Sequence, residues 1–294
     1  MSLLLDKQRI IWYAEIPAGA ERVYQLRTDG NQPHFESDLK HDTYSISNSF
    51  WNVTCADDGS HLMNIQRMSD GVLLFRYDAI ELISQYDSSD TWSHSINAFR
   101  ERIAGKFRVR RTVVEETGPI RSSIRIDTKY RESRLTIWAR LYANDPRLEL
   151  RIWVNWSQRL QIVKLNMPFI SPIIERMDGI PGGFVSRPQN RQEFPVMDWT
   201  LLRMGDGTSL GVVCPDCFGL DGEEDVQRFT LLRSPAYAWH DPNKLEPNGF
   251  YRWTDQGEHE YRFVLLENST PEALQTLALS EHRPPICYDW TKGM

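Results

Sequence analysis

The stretch KFRVRRTVVEETGPIRSSIRIDTKYRESRLTIWARLYANDPRLELRIWVNW, Lys106 to Trp156, decides the fold. Apolar and polar residues alternate with period two through four successive runs, the spacing that sends neighbouring side chains to opposite faces of a strand. The runs break at Glu116-Thr117-Gly118-Pro119, Arg131-Glu132-Ser133 and Asn144-Asp145-Pro146, all turn-forming residues. Strands joined by such short turns pair antiparallel. Leu135, Ile137, Ala139 and Leu141 then share one face, as do Leu148, Leu150, Ile152, Val154 and Trp156. Arg108, Arg110, Arg121, Arg125, Arg140, Arg147 and Arg151 fall opposite them. With Glu115, Glu116, Glu132 and Glu149 close by, that face reads as a solvated surface of mixed charge pairs.

Outward from this block the chain stays β-rich. Upstream, Thr43 to Ser47, Phe50 to Ala56, His61 to Met68 and Val72 to Ile83 read as short strands, split by Asp57-Asp58-Gly59 and Ser69-Asp70-Gly71. Asp-Gly between apolar runs is a hairpin signal. Two further strand-like runs, Arg9 to Ile16 and Glu21 to Leu26, precede a polar linker, Thr28 to His41. Downstream, residues 160–170 form a strand, and the Pro- and Gly-rich segment 171–198 reads as a long covering loop. Strands resume at Trp199 to Met204, Leu210 to Val213, Phe229 to Leu232 and Glu260 to Leu266. One helix is expected near the C-terminus, capped by Thr270, begun by Pro271 and striped by Leu274, Leu277 and Ala278. The expectation is an all-β chain, a large antiparallel β-sandwich with one short helix. It divides into residues 1–41, strands and linker, and residues 42–294, the sandwich.

The 294 residues are 40% hydrophobic and 25% charged, ordinary for a globular protein, with ten Trp. A net charge of −6 argues against nucleic acid or an anionic membrane as partner. No run approaches the roughly 20 apolar residues of a membrane span. The first residues are too charged for a signal peptide, and the four Cys too sparse for a disulfide scaffold, which points to a cytoplasmic setting.

The order of segments resembles the C-terminal β-domain of family 38 glycoside hydrolases, the retaining α-mannosidases. The likeness runs from about Ile16 to Pro285. It rests on Ile16 to Tyr24, the hairpin Asn48 to Met68, and Asp90-Thr91-Trp92-Ser93-His94. It continues through Glu115 to Arg121, Asn144 to Glu149, Phe184 to Pro188, Leu231-Leu232-Arg233-Ser234-Pro235 and Gln256 to Glu260. Two positions depart from the pattern: Asn155 stands where the family has Asp, and Met197 where it has His. The resemblance implies a supersandwich similar to galactose mutarotases. It places the zinc site and the aspartate nucleophile in a catalytic α/β domain outside this chain, so no cofactor and no catalytic residue is expected here. It also implies two partners, that catalytic domain and a mannose-containing oligosaccharide or other glycan.

Several residues are candidates for contact with sugar. Asp90, Trp92 and His94 offer an acid, an aromatic platform and an imidazole in one loop, where self-bonding of the loop is the competing reading. Arg187 and Arg233 stand beside rigid turns and either reach a hydroxyl or bridge backbone carbonyls. Trp199, Trp239 and Trp253 are further platforms, with His240 beside Trp239. Cys214-Pro215-Asp216-Cys217 is a lone CxxC without the further ligands a zinc site needs, and reads as buried structure. Three functions follow: an accessory domain of an α-mannosidase-like enzyme, a stand-alone carbohydrate-binding module, or a mutarotase-like epimerase. The last would use His94 or His240 as acid and Glu81 or Asp90 as base.

Overall fold

The computed structural model describes residues 11–17, 19–25, 34–56, 58–76, 80–94, 96–240, 242–246, 248–284 and 286. A small sheet comes first, from β1 (Lys40–His41), β2 (Ser45–Ser47), β3 (Trp51–Thr54) and β4 (Asn64–Arg67), paired in that order. Then follow β5 (Glu81–Tyr86) and β6 (Ile103–Lys106). The decisive stretch forms β7 (Arg108–Thr117), β8 (Arg121–Tyr130), β9 (Ser133–Tyr142) and β10 (Leu148–Trp156). Next are β11 (Gln161–Pro168), β12 (Ile173–Ile180), β13 (Gly183–Ser186) and β14 (Phe194–Pro195). The chain continues with β15 (Trp199–Met204), β16 (Ser209–Val213), β17 (Gly219–Glu223), β18 (Val226–Arg233) and β19 (Gly257–Glu267), and ends on α1 (Pro271–His282).

Two large antiparallel sheets make the sandwich. One has nine strands, ordered β13-β12-β15-β16-β19-β10-β9-β8-β7; the other has six, ordered β14-β17-β18-β11-β5-β6. The four runs read from sequence are a meander at one edge of the larger sheet, with turns where the breaks fall. Arg131 and Asn144 take left-handed backbone there, with φ of 52° and 57°. The apolar face of β9 and β10 is buried as expected, with Leu135, Ala139, Leu141, Leu148 and Val154 fully covered.

These side chains meet Leu82, Val163, Leu165, Leu220 and Phe229 of the smaller sheet in one continuous core. Phe229 packs edge-on against Phe263 at 5.3 Å, and Trp156 donates its indole N–H to the Ser234 hydroxyl at 3.1 Å, tying the two layers. The small sheet is held by its Trp51 indole, which donates to the Pro146 carbonyl, and by the Asn48 amide, which donates to the Tyr142 and Asp145 carbonyls. On the far face of the larger sheet, α1 lays Leu274 and Ala278 against Trp199, Leu201 and Val213. Thr270 caps it, accepting from the Ala273 N–H.

The opposite face of the meander carries the expected ion pairs: Arg121–Glu116, Arg125–Glu115, and Arg140 and Arg151 on Glu149. Burial pushes the Glu149 carboxyl up, but the Arg151 hydrogen bond and the charges of Arg151 and Arg140 outweigh it and hold the group below its ordinary value.

Three expectations are corrected. Residues 11–17 and 19–25 are exposed and form no strand, because among the described residues they find no partner strand to take their backbone hydrogen bonds; Arg9, Ile10 and Leu26 lie outside the described residues. Among the described residues the run from Val72 makes only isolated bridges at Leu73 and Phe75, and the strand starts at Glu81; Tyr77, Asp78 and Ala79 lie outside the described residues. The covering loop 171–198 instead contains β12, β13 and β14. Gly182, at φ 84°, turns β12 back into an edge hairpin, which the Pro-Gly composition masked.

Candidate functional site

The outer face of the six-stranded sheet is polar. Along β11, Val163, Leu165 and Met167 join the core while Lys164 and Asn166 point the other way. Lys164 is fully buried. Its ammonium donates to Asp221 of β17 at 2.6 Å and to Glu193 at 2.5 Å. Arg228 of β18 binds both Asp221 and Glu223, and the Thr230 hydroxyl donates to Glu193. At the far side Glu81 takes Lys106 and the Asn166 amide.

Two loops close over this layer, residues 87–94 with 96–102, and residues 187–193. The Glu193 N–H donates to the Asn97 carbonyl at 2.8 Å, joining them. Phe99 from the first loop lies under Lys164 and under the Arg233 guanidinium, 5.7 and 5.0 Å from its ring centre. Each of these carboxylates is already engaged by a cation, so the layer works as a cross-braced floor. Lys164, Glu193, Asp221 and Arg228 were not singled out from sequence. The one signal was that Lys164 and Asn166 alternate with Val163, Leu165 and Met167 along the strand.

The loop 87–94 is fixed from below by Arg233, at the end of β18. Its Nε binds the buried Asp87, its Nη1 donates to the Thr91 carbonyl at 3.1 Å, and its Nη2 to the Ser89 hydroxyl and the Asp90 carbonyl. Thr91 fastens the same loop to the segment after β18: its N–H donates to the Trp239 carbonyl at 3.0 Å and its hydroxyl to the Ala236 carbonyl. Two left-handed residues, Ser93 at φ 54° and Ala238 at φ 55°, shape the paired loops.

Above this anchor sits the patch that carries the candidate chemistry. Asp90 accepts from the His94 N–H and from His94 Nδ1 at 2.5 Å, which orients the imidazole. Trp92, 58% exposed, His94 and His240 surround one area of surface. Their ring centres are 5.2 Å apart for Trp92 and His240, 6.0 Å for the two histidines and 6.3 Å for Trp92 and His94. Behind them Trp239 packs edge-on to Tyr251 at 5.1 Å, and Tyr251 to Trp253 at 6.2 Å. The Trp239 indole N–H is buried and has no acceptor among the described residues. An exposed indole face, two imidazoles and an oriented carboxylate can stack on a ring and exchange hydrogen bonds with its hydroxyls.

The tertiary structure therefore gathers Asp90, Trp92, His94, Trp239 and His240, and puts Arg233 beneath them as a brace. It sets two other candidates elsewhere. Trp199 is buried between the nine-stranded sheet and α1, its N–H given to Gln275 at 3.2 Å, so it presents no face to solvent. Arg187 lies at the end of β13, its guanidinium 4.8 Å from the Phe194 ring centre. Cys214 and Cys217 are buried, and burial pushes both thiols well above their ordinary 9.0.

The sequence profile of the glycosyl hydrolases family 38 C-terminal domain matches residues 46–243. Among solved structures, a family 38 glycosyl hydrolase from Enterococcus faecalis is similar with a TM-score of 0.69 and 14% identity, over 87% of this chain and 34% of that one. An alpha-mannosidase from Enterococcus faecalis V583 gives a TM-score of 0.68 and 14% identity, over 87% and 33%. The chain thus spans about a third of the length of these two, and the likeness is one of fold. A putative aldose 1-epimerase from Escherichia coli K12 aligns over 78% of this chain and 99% of that one at 8% identity and a TM-score of 0.42, too distant to argue from. No curated protein matches the sequence.

Proposed function

The chain belongs to the glycosyl hydrolases family 38 C-terminal domain family, and on that premise we propose that it is the non-catalytic, carbohydrate-facing part of an α-mannosidase-like enzyme. Its sandwich is the scaffold. Its working surface is the patch of Trp92, His94 and His240, which completes the rim of a sugar site shared with a catalytic domain that carries the zinc. The single observation behind this reading is that three rings, one of them a largely exposed indole, converge on one patch while Asp90 and Arg233 hold the loop beneath them. Exposed indoles are costly to leave in water and suit the apolar face of a pyranose. The mutarotase-like alternative is less well supported, because both its candidate bases are already engaged, Glu81 by Lys106 and Asn166 and Asp90 by His94.

Calorimetric titration with mannose oligosaccharides tests the reading. Saturable heat that disappears in Trp92→Ala, with the unfolding midpoint unchanged, is the expected outcome; a flat trace for the unmodified chain rejects the glycan role. Separately, the chain alone should turn over no aryl α-mannoside, with or without added zinc. Hydrolysis that depends on zinc would sink the accessory-domain reading.

A further inference from the structure

At the β12–β13 edge of the nine-stranded sheet, two arginines stand side by side on one sheet face. Arg187 donates its backbone N–H to the Arg176 carbonyl at 3.0 Å, extending the β12–β13 ladder in which Met177 faces Ser186. Residues opposite one another on paired strands project to the same side, and like charges placed so repel. Both guanidiniums lie on the Phe194 ring, 5.7 Å from its centre for Arg176 and 4.8 Å for Arg187.

One carboxylate pairs with Arg176. Asp178 is fully buried; its oxygens accept from Arg176 Nε at 2.9 and 3.1 Å, from Arg176 Nη2 at 2.5 Å and from the Thr200 hydroxyl at 2.8 Å. Arg187 forms no ion pair among the described residues. Two nitrogens, Nη1 of the buried Arg176 and Nε of Arg187, are buried without an acceptor among the described residues. A buried donor left unpaired costs about 1–3 kcal/mol, more when it is charged. The charges of Arg176 and Asp178 cancel, leaving one positive charge on Arg187. Arg187 and Phe194 are only half-buried, so it is the edge of the Arg187 guanidinium beyond its buried Nε that is reachable from solvent.

We propose that Arg187, backed by Arg176 Nη1 and stacked on Phe194, is a carboxylate-binding site. A planar monoanion with two oxygens matches both the in-plane N–H donors of a guanidinium and the single uncompensated charge; a phosphate dianion overshoots that charge. The carboxylate comes either from an acidic sugar or from an Asp or Glu side chain of another polypeptide segment.

The test follows the Arg187 Nε–H resonance, assigned by its loss in Arg187→Lys, during titration of the full chain with sodium acetate or D-glucuronate. D-glucose and sodium chloride at matched ionic strength are the controls. A saturable shift with both carboxylates establishes the site with a free carboxylate sufficient; a shift with glucuronate alone assigns it to acidic sugars. No saturable shift with either, or an equal shift with chloride, overturns the proposal. Arg187→Gln should keep the wild-type unfolding midpoint and abolish the carboxylate-dependent rise in that midpoint. A rise of the same size in that variant also overturns it.

Discussion

Arg233→Met separates a bracing arginine from one that touches sugar. The guanidinium holds Asp87, Ser89, Asp90 and Thr91 at once and stacks on Phe99. Its Asp87 partner is 1% exposed as a side chain, so truncation strands a carboxylate out of water. Breaking a buried pair on one side costs about 3–5 kcal/mol. Asp87 keeps the Ser89 N–H and hydroxyl as donors, which places the loss near the lower end, about 3 kcal/mol. At roughly 2–4 °C per kcal/mol for a chain of this class, the unfolding midpoint should drop by roughly 6–12 °C. Thermal unfolding followed by Trp fluorescence measures the midpoint, and urea unfolding the free energy. The second arm is Arg233→Met with Asp87→Asn, which removes the stranded charge and should recover about 1–3 kcal/mol as coupling. A loss below about 1 kcal/mol for the single variant, the size of an exposed pair, refutes the reasoning. So does strict additivity of the two substitutions.

Glu149→Gln should cost about 2 kcal/mol at neutral pH, because Arg140, Arg151 and Tyr142 all donate to that carboxylate. The folded group titrates below its ordinary 4.5, so its stabilisation is complete above that value and is lost as pH falls through the lower folded value; the wild-type and variant stability curves should converge in acid, and a pH-independent gap contradicts this. Gly179→Ala would set a methyl 2.4 Å from the Met197 carbonyl oxygen and 2.9 Å from the Trp199 indole nitrogen. Neither can move freely, so a loss of about 1–3 kcal/mol is expected in thermal unfolding, and a neutral variant would show that β12 shifts instead. Cys214 and Cys217 should resist a thiol reagent in the folded chain and react only on unfolding, since burial suppresses their thiolates; fast labelling of the native protein would contradict their placement.

The meander was legible because its alternation is unbroken and its turns carry turn residues, and the helix because Thr270 and Pro271 mark its start. The segment 171–198 was misread since Gly and Pro mark a β-hairpin corner as readily as a loop; only pairing with β15 distinguishes them. Residues 11–17 and 19–25 failed in the opposite sense. Local alternation there finds no partner strand among the described residues. In the candidate site, the pair Asp90 and His94 was readable, being four residues apart in one loop. Its junction with His240 was not, for that contact depends on how β5 and β18 sit on either side of β11.

By itself the sequence determined the fold class, the buried face of the meander and the charge pairs on its other face. These follow from period-two alternation, a local property that each strand states on its own. Only the tertiary structure decided which candidates meet. It buried Trp199 under α1, turned Arg233 into a brace, set Arg176 and Arg187 on one ring, and sealed Lys164 between Asp221 and Glu193. Sheet order and loop closure fix those contacts, and both come from pairings between residues far apart in the chain.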